Sequence, residues 1–151
     1  IAVGDRQPSW VDEAFDDYVQ RLPRHWQFRL ETVKTARRRK NADPATAIEA
    51  EGQKVLDRVR AAEQLILLDE CGVQVSSAGL TEKLSAWQAL GRDLCFVIGG
   101  PDGVSKAIAA RADFRWSLSR LTLPHGLARV LFAEQLYRAW TLATAHPYHR
   151  A

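Results

Sequence analysis

Leu94-Cys95-Phe96-Val97-Ile98-Gly99-Gly100-Pro101-Asp102-Gly103 is the stretch that decides the fold. Five apolar residues in a row are too few for a membrane span and read as a strand buried on both faces. The glycines and the proline that follow let the backbone turn sharply and come close to a ligand without side chains in between. A glycine turn at the carboxyl end of a buried strand is where an α/β sheet places a small-molecule site. A second phrase answers it downstream. Trp116-Ser117-Leu118-Ser119-Arg120-Leu121-Thr122-Leu123-Pro124-His125 is a polar loop punctuated by leucines that runs into a long helix.

Outward from these phrases, strands and helices alternate. Ile1–Val3 reads as a strand, and Trp10 to Leu22 as an amphipathic helix ended by Pro23. Phe28, Leu30 and Val33 mark a second strand. Asp43-Pro44 pairs an N-cap with proline at the first helical position and opens a helix from Ala45 to Arg60. Leu65–Leu68 is a third strand, and Leu80–Leu90 a helix stopped by Gly91. Val104–Ala110 gives a short helix, Phe114–Trp116 a fifth strand, and Pro124–Ala145 the last helix. The alternation predicts one α/β domain over residues 1–151, with a mostly parallel sheet and flanking helices. No repeat, linker or low-complexity tract divides it.

Composition sets the bounds. A chain of 151 residues with 46% hydrophobic content can bury a real core. No apolar stretch reaches the length of a membrane span, and no signal-peptide pattern opens the chain. The absence of methionine points to a few residues missing before Ile1. Cys95 lies within an apolar run and Cys71 beside a glycine, which fits a reduced cytoplasmic protein better than a disulfide or metal pair. The net charge of +3 does not announce a nucleic-acid binder, but Arg37-Arg38-Arg39-Lys40 is a basic run between two elements. Such a run is ordinarily a solvated loop, or else a phosphate contact.

The last helix carries most of the remaining information. Around its axis Glu134, Gln135, Arg138 and Thr141 share one side, while Phe132, Ala133, Leu136 and Trp140 lie opposite. Val130, Tyr137 and Leu127 widen the apolar surface beyond one stripe, which suggests burial against the sheet and against a second copy. Arg129 projects into this apolar side one turn from His125. A charge placed there needs a partner or a task. His146-x-x-His149 fails as a metal site, since no third ligand is near and Pro147 breaks the helix.

The SLS-x-LTLPH loop (Ser117–His125), Glu134-Gln135-Leu136-Tyr137-Arg138-Ala139 and the tail His146-Pro147-Tyr148-His149-Arg150 resemble the RlmH family. Those are SPOUT-class methyltransferases acting on a pseudouridine N3 in large-subunit ribosomal RNA. Ile66-Leu67-Leu68-Asp69, the opening Ile1-Ala2-Val3-Gly4 and the helix containing Gly52 fit as well, so the resemblance spans the chain. Asp102 stands where many relatives carry Glu. The resemblance implies an α/β fold with a C-terminal trefoil knot, S-adenosylmethionine as donor, a homodimer, and ribosomal RNA or the assembled ribosome as partner. It also implies a cofactor site of Leu68, Gly99, Gly100, Gly103, Leu118, Ser119, Arg120, Leu121, Thr122 and Leu123, with no metal. Combined with it, Arg37, Arg38, Arg39, Lys40, Tyr148 and Arg150 become candidate RNA contacts. The imide acceptor must lose a proton. Arg129 or Arg150 is a candidate to stabilise the developing anion. His125, His149 or water could take the proton. Two other readings remain at this point: a SPOUT methyltransferase of transfer RNA, and a non-catalytic ribosome-binding protein that has kept the fold.

Overall fold

A computed structural model describes residues 1–37 and 43–149. The expectations for Arg38, Arg39, Lys40 and Arg150, and for the His149 side chain, lie outside the described residues. The elements are β1 (Ala2–Val3), α1 (Ser9–Val19), β2 (Thr32–Val33), α2 (Pro44–Leu56), β3 (Gln64–Gln74), α3 (Ser77–Ala89), β4 (Leu94–Ile98), α4 (Lys106–Arg111), β5 (Phe114–Ser117) and α5 (His125–Ala143). Short 3-10 turns cover Arg24–Trp26 and Pro147–His149.

Helix starts follow local chemistry. The Asp43 carboxylate accepts from the Ala45 amide at 3.0 Å, as the Asp-Pro signal predicts. Ser76 and Ser105 cap α3 and α4 in the same way, accepting from Gly79 at 3.0 Å and Ile108 at 3.3 Å. Gly52 lets α2 approach α4, because a Cβ there would meet Ser105 Oγ at 2.2 Å.

The strands form one parallel sheet in the order β2-β1-β4-β3-β5. Leu65–Leu68 of β3 and Leu94–Ile98 of β4 are unbroken apolar runs because helices cover both faces of the central strands. Ile66 joins Phe15, Leu80, Leu84, Trp87, Phe132 and Leu136 beneath α1, α3 and α5. Its neighbours Leu65 and Leu67 point the other way, joining Val55 and Ile108 under α2 and α4. All three are fully buried, a gain of about 1.5–3 kcal/mol each on transfer alone.

Several boundaries differ from the sequence reading. The second strand is confined to Thr32–Val33, since Phe28 turns inward against Phe15, ring centroids 6.0 Å apart. β3 is much longer than Leu65–Leu68. It pairs with β5 through Leu68, swings out over residues 69–72, and rejoins through Val73 and Gln74. α1 and α2 end before Leu22 and Arg60, as their last turns tighten to bonds three residues apart, Leu22 to Val19 and Arg58 to Val55. Thr141, placed on the polar side of α5, is fully buried, its hydroxyl satisfied by the Arg138 carbonyl at 2.8 Å.

Candidate active site

Leu68 pairs with Ile98 on one side and Trp116 on the other, so β3 stands between the ends of β4 and β5. The next residues after that row are Gly99 and Ser117. Topology alone therefore sets the Gly99–Gly103 turn and the Leu118–Leu123 loop on either side of β3, all at the carboxyl end of the sheet. This is the crevice position at which open α/β sheets hold ligands.

Gly103 donates to the Gly100 carbonyl at 3.1 Å and takes a φ of +95°, a conformation that favours glycine. A Cβ on Gly99 would strike Val104 at 2.5 Å and the Gly103 carbonyl at 3.1 Å. Gly99 is therefore required by the turn's own closure, before any ligand is considered. A Cβ on Gly100 would meet the buried Glu51 carboxylate at 2.8 Å, and that carboxylate also accepts from the Ala36 amide at 2.7 Å. At Gly103 a Cβ would meet nothing within 4 Å, so that edge of the turn faces open space.

The opposing loop is braced by its own hydroxyls. Ser117 Oγ donates to the Ser119 carbonyl at 2.8 Å, and Ser119 Oγ accepts from the Leu121 amide at 2.9 Å. The second half of β3 holds it from outside: the Thr122 hydroxyl donates to Glu70 in the swung-out part at 3.3 Å and Arg120 to Gln74 in the rejoined part at 3.2 Å. Arg115 steadies the excursion with two bonds to Asp69 of 2.6 and 2.8 Å. Leu121 is 75% exposed, an apolar side chain at the edge of a backbone-rich crevice. Leu68, Leu118 and Leu123 are half-buried beside it.

Arg129 is 2% exposed. Its Nε donates to His125 Nε2 at 2.9 Å and its Nη2 to the Gly4 carbonyl at the end of β1. Burial lowers its pKa from the ordinary arginine value. Burial also pushes His125 down to about 4, and the adjacent guanidinium adds to this, against a backbone hydrogen bond with Gly99 that favours the protonated ring. The imidazole is therefore neutral at pH 7, with Nε2 occupied by Arg129. Gly4, with φ of +120°, is the member of this group that the sequence reading did not assign. The signal available was a glycine directly after the first strand.

The structure thus brings Leu68, Gly99, Gly100, Gly103, Leu118–Leu123, His125 and Arg129 to one end of the sheet. It does not bring Tyr148 there. Tyr148 lies back along α5, its ring 4.7 Å from that of Tyr137. Arg37 is exposed before the undescribed basic residues. A cavity of about 620 Å³ opens at the opposite, amino end of the strands, beside Ile1, Leu94 and Cys95, and is not part of this crevice. Among the described residues no cluster of His, Cys, Asp and Glu can hold a metal, and no helix is long and apolar enough to cross a membrane.

A five-stranded parallel sheet with helices on both faces, and with the glycine turn and the Leu118–Leu123 loop together at its carboxyl end, defines an α/β protein. The chain belongs to the SPOUT methyltransferase family: the family model described as "Predicted SPOUT methyltransferase" matches residues 1–149. It is accordingly a methyltransferase, and its class requires a methyl donor. Similar proteins carry the name ribosomal RNA large subunit methyltransferase H. The one from Thioalkalivibrio sulfidiphilus is 47% identical over 99% of this chain and 96% of its own length. Those from Hahella chejuensis and Coxiella burnetii are 45% and 43% identical, over 99% of this chain and 96% and 97% of their own lengths.

Proposed function

We propose that this protein transfers a methyl group from S-adenosylmethionine to N3 of a pseudouridine in large-subunit ribosomal RNA, working in the cytoplasm as a homodimer. The observation that carries the reading is the placement of the glycine turn and the Leu118–Leu123 loop on either side of Leu68. The names of the relatives supply the RNA class.

Leu68, Leu118, Leu121 and Leu123 would flank the adenine, while Gly99, Gly100, Gly103 and the backbone of Ser119, Arg120 and Thr122 meet its polar edge. When bound, S-adenosylmethionine supplies a methyl on a sulfonium, already activated for in-line displacement. Catalysis then rests on positioning. Arg129 is too enclosed to clamp the acceptor directly. It ties α5 to β1, and through His125 to the Gly99 turn, and its positive charge, facing only the unbonded Asp12 carboxylate, favours an anionic acceptor nearby. With Nε2 engaged, His125 serves as a positioning residue. Proton removal and contact with the imide then fall to His149, Arg150 or water, and phosphate contact to Arg37, Arg38, Arg39 and Lys40.

The dimer has a suitable surface. Trp10 is 52% and Leu127 44% exposed on the packed helices α1 and α5. A self-complementary helical face favours an isologous contact. The tail follows α5 directly, so in a dimer it would complete the partner's site.

The test is mass-spectrometric mapping of RNA after incubation with the protein and S-adenosylmethionine. Ribosomes, free ribosomal RNA and transfer RNA serve as substrates. One added methyl on a large-subunit pseudouridine is expected. Methylation of transfer RNA instead would replace the substrate. Absence of donor binding by calorimetry would leave a non-catalytic ribosome binder.

A further inference from the structure

After α5 the chain reverses. Ala145 takes a φ of +52°, and the His146 amide donates to the Thr141 carbonyl at 2.9 Å, closing the helix with a left-handed turn. The following residues run back along the helix they have just left. Tyr148 is the end point of that return. Its hydroxyl donates to Glu134 Oε1 at 3.1 Å and lies 3.5 Å from the hydroxyl of Tyr18 on α1. A single phenolic proton cannot serve both partners. The sense that satisfies all three groups is Tyr18 donating to Tyr148 and Tyr148 donating to Glu134.

The rest of the pocket is shaped for this ring. Tyr137 meets it edge-on at 4.7 Å, and the Arg138 guanidinium lies 5.2 Å from its centroid. Arg138 also binds Glu134 through two bonds of 2.5 and 2.9 Å, and Gln135 donates to the other carboxylate oxygen at 2.6 Å. Glu134 is thereby fixed by neighbours on its own helix before the tail arrives. Burial, then the Tyr18 hydroxyl and the facing Glu134 carboxylate, raise the Tyr148 pKa, so the phenol keeps its proton.

We propose that Tyr18 and Glu134 are positioning residues: they hold Tyr148 as an anchor and so fix where the last residues of the chain meet RNA. In this arrangement Tyr148 orders the tail and does not stack on a base. The proposal rests on the reading that the tail completes an RNA-methylating site. Residues of α1 and of the middle of α5, outside the group at the carboxyl end of the sheet, thereby enter the reaction.

The experiment follows the intact dimer with carboxypeptidase trimming of the tail, donor calorimetry, and kcat and KM on ribosomes. Glu134→Ala should speed trimming about tenfold and lower kcat/KM for ribosomes about tenfold, the weight of one charge-assisted hydrogen bond. Donor affinity and dimer mass should not change. Glu134→Gln retains an oxygen that accepts the phenolic proton and should recover most of the loss, which a merely structural defect would not do. Tyr18→Phe should give a smaller effect in the same direction. Should Glu134→Ala perturb folding, Tyr148→Phe removes the same bond while keeping the ring. Unchanged trimming in Glu134→Ala and Tyr148→Phe would overturn the anchor. Faster trimming with unchanged methylation would overturn the tail's part in the site instead.

Discussion

Arg129 and Arg138 stand nine residues apart on α5, about half a turn out of phase, and meet the same demand in opposite ways. Arg138 is half-exposed and doubly bonded to a carboxylate, which raises its pKa. Arg129 is almost fully buried, bonded to a neutral imidazole and a backbone carbonyl, and its pKa is lowered by burial. A paired surface ion is a common feature of stable helices. Desolvating a cation without a bonded carboxylate is costly; the bonds to Gly4 and His125 offset that cost, and a charge kept in such a place commonly has a task. The first arginine ties α5 to the end of β1 and to His125, and the second fixes Glu134, the carboxylate of the proposed tail anchor.

The largest effect should come from Arg129→Met, which leaves the Gly4 carbonyl and His125 Nε2 without their donor. Methyl transfer should fall about a hundredfold or more, and stability by about 1–3 kcal/mol, read by denaturant unfolding. Arg138→Met should cost less than about 1 kcal/mol, because Glu134 keeps Gln135 and Tyr148 as donors. Equal losses in the two variants would erase the contrast.

A middling effect is expected from pH. The His125 pKa is pushed down to about 4 from 6.5, so the folded protein binds this proton less readily than the unfolded chain. The associated stability is intact above about pH 6.5 and is lost as pH falls from there through about 4. His125→Gln keeps an acceptor for Arg129 but cannot be protonated. Its stability should fall less steeply across that window than that of the unsubstituted protein, in urea titrations at pH 7, 5.5 and 4.5. Parallel slopes would mean that His125 is not held neutral by burial and the adjacent guanidinium.

The smallest effect concerns salt. Raising ionic strength should shrink the stability difference between Arg138→Met and the unsubstituted protein, since a half-exposed pair is screened. The corresponding difference for Arg129→Met should stay constant. Unfolding in 0.1 M and 0.5 M salt measures both.

Much of this was legible in the sequence where one local rule governs one element. The apolar run Leu94–Ile98, the Asp43-Pro44 helix start and the glycine turn each declare themselves within a few residues. Gly99 and Arg129 stand out because each breaks its local pattern, by a missing side chain or by a charge on an apolar face, whereas His125 came with the loop that carries the resemblance. The full length of β3 was not legible, because residues 69–72 leave the ladder and their polar side chains interrupt the strand pattern before Val73 rejoins it. Glu134 and Tyr148 were singled out as parts of motifs, but their contact with each other and with Tyr18 was not legible, because that meeting depends on the packing of α1 on α5 and on the left-handed turn at Ala145. The Arg129–Gly4 bond is likewise a tertiary event, joining residues 125 positions apart.

The central claim is that the two arginine-centred groups of one helix serve two different sites of the dimer. Mixing subunits tests it most directly. An Arg129→Met subunit and a subunit lacking residues 148–151 should each be inactive alone, with donor binding by the shortened subunit preserved. After unfolding and refolding together, half of the dimers are mixed, and each mixed dimer has one site with an intact core and an intact tail from its partner. Methyl transfer to ribosomes should then recover to about a quarter of the unsubstituted level. If mixing restores no activity while heterodimers form, each chain completes its own site and the claim is wrong.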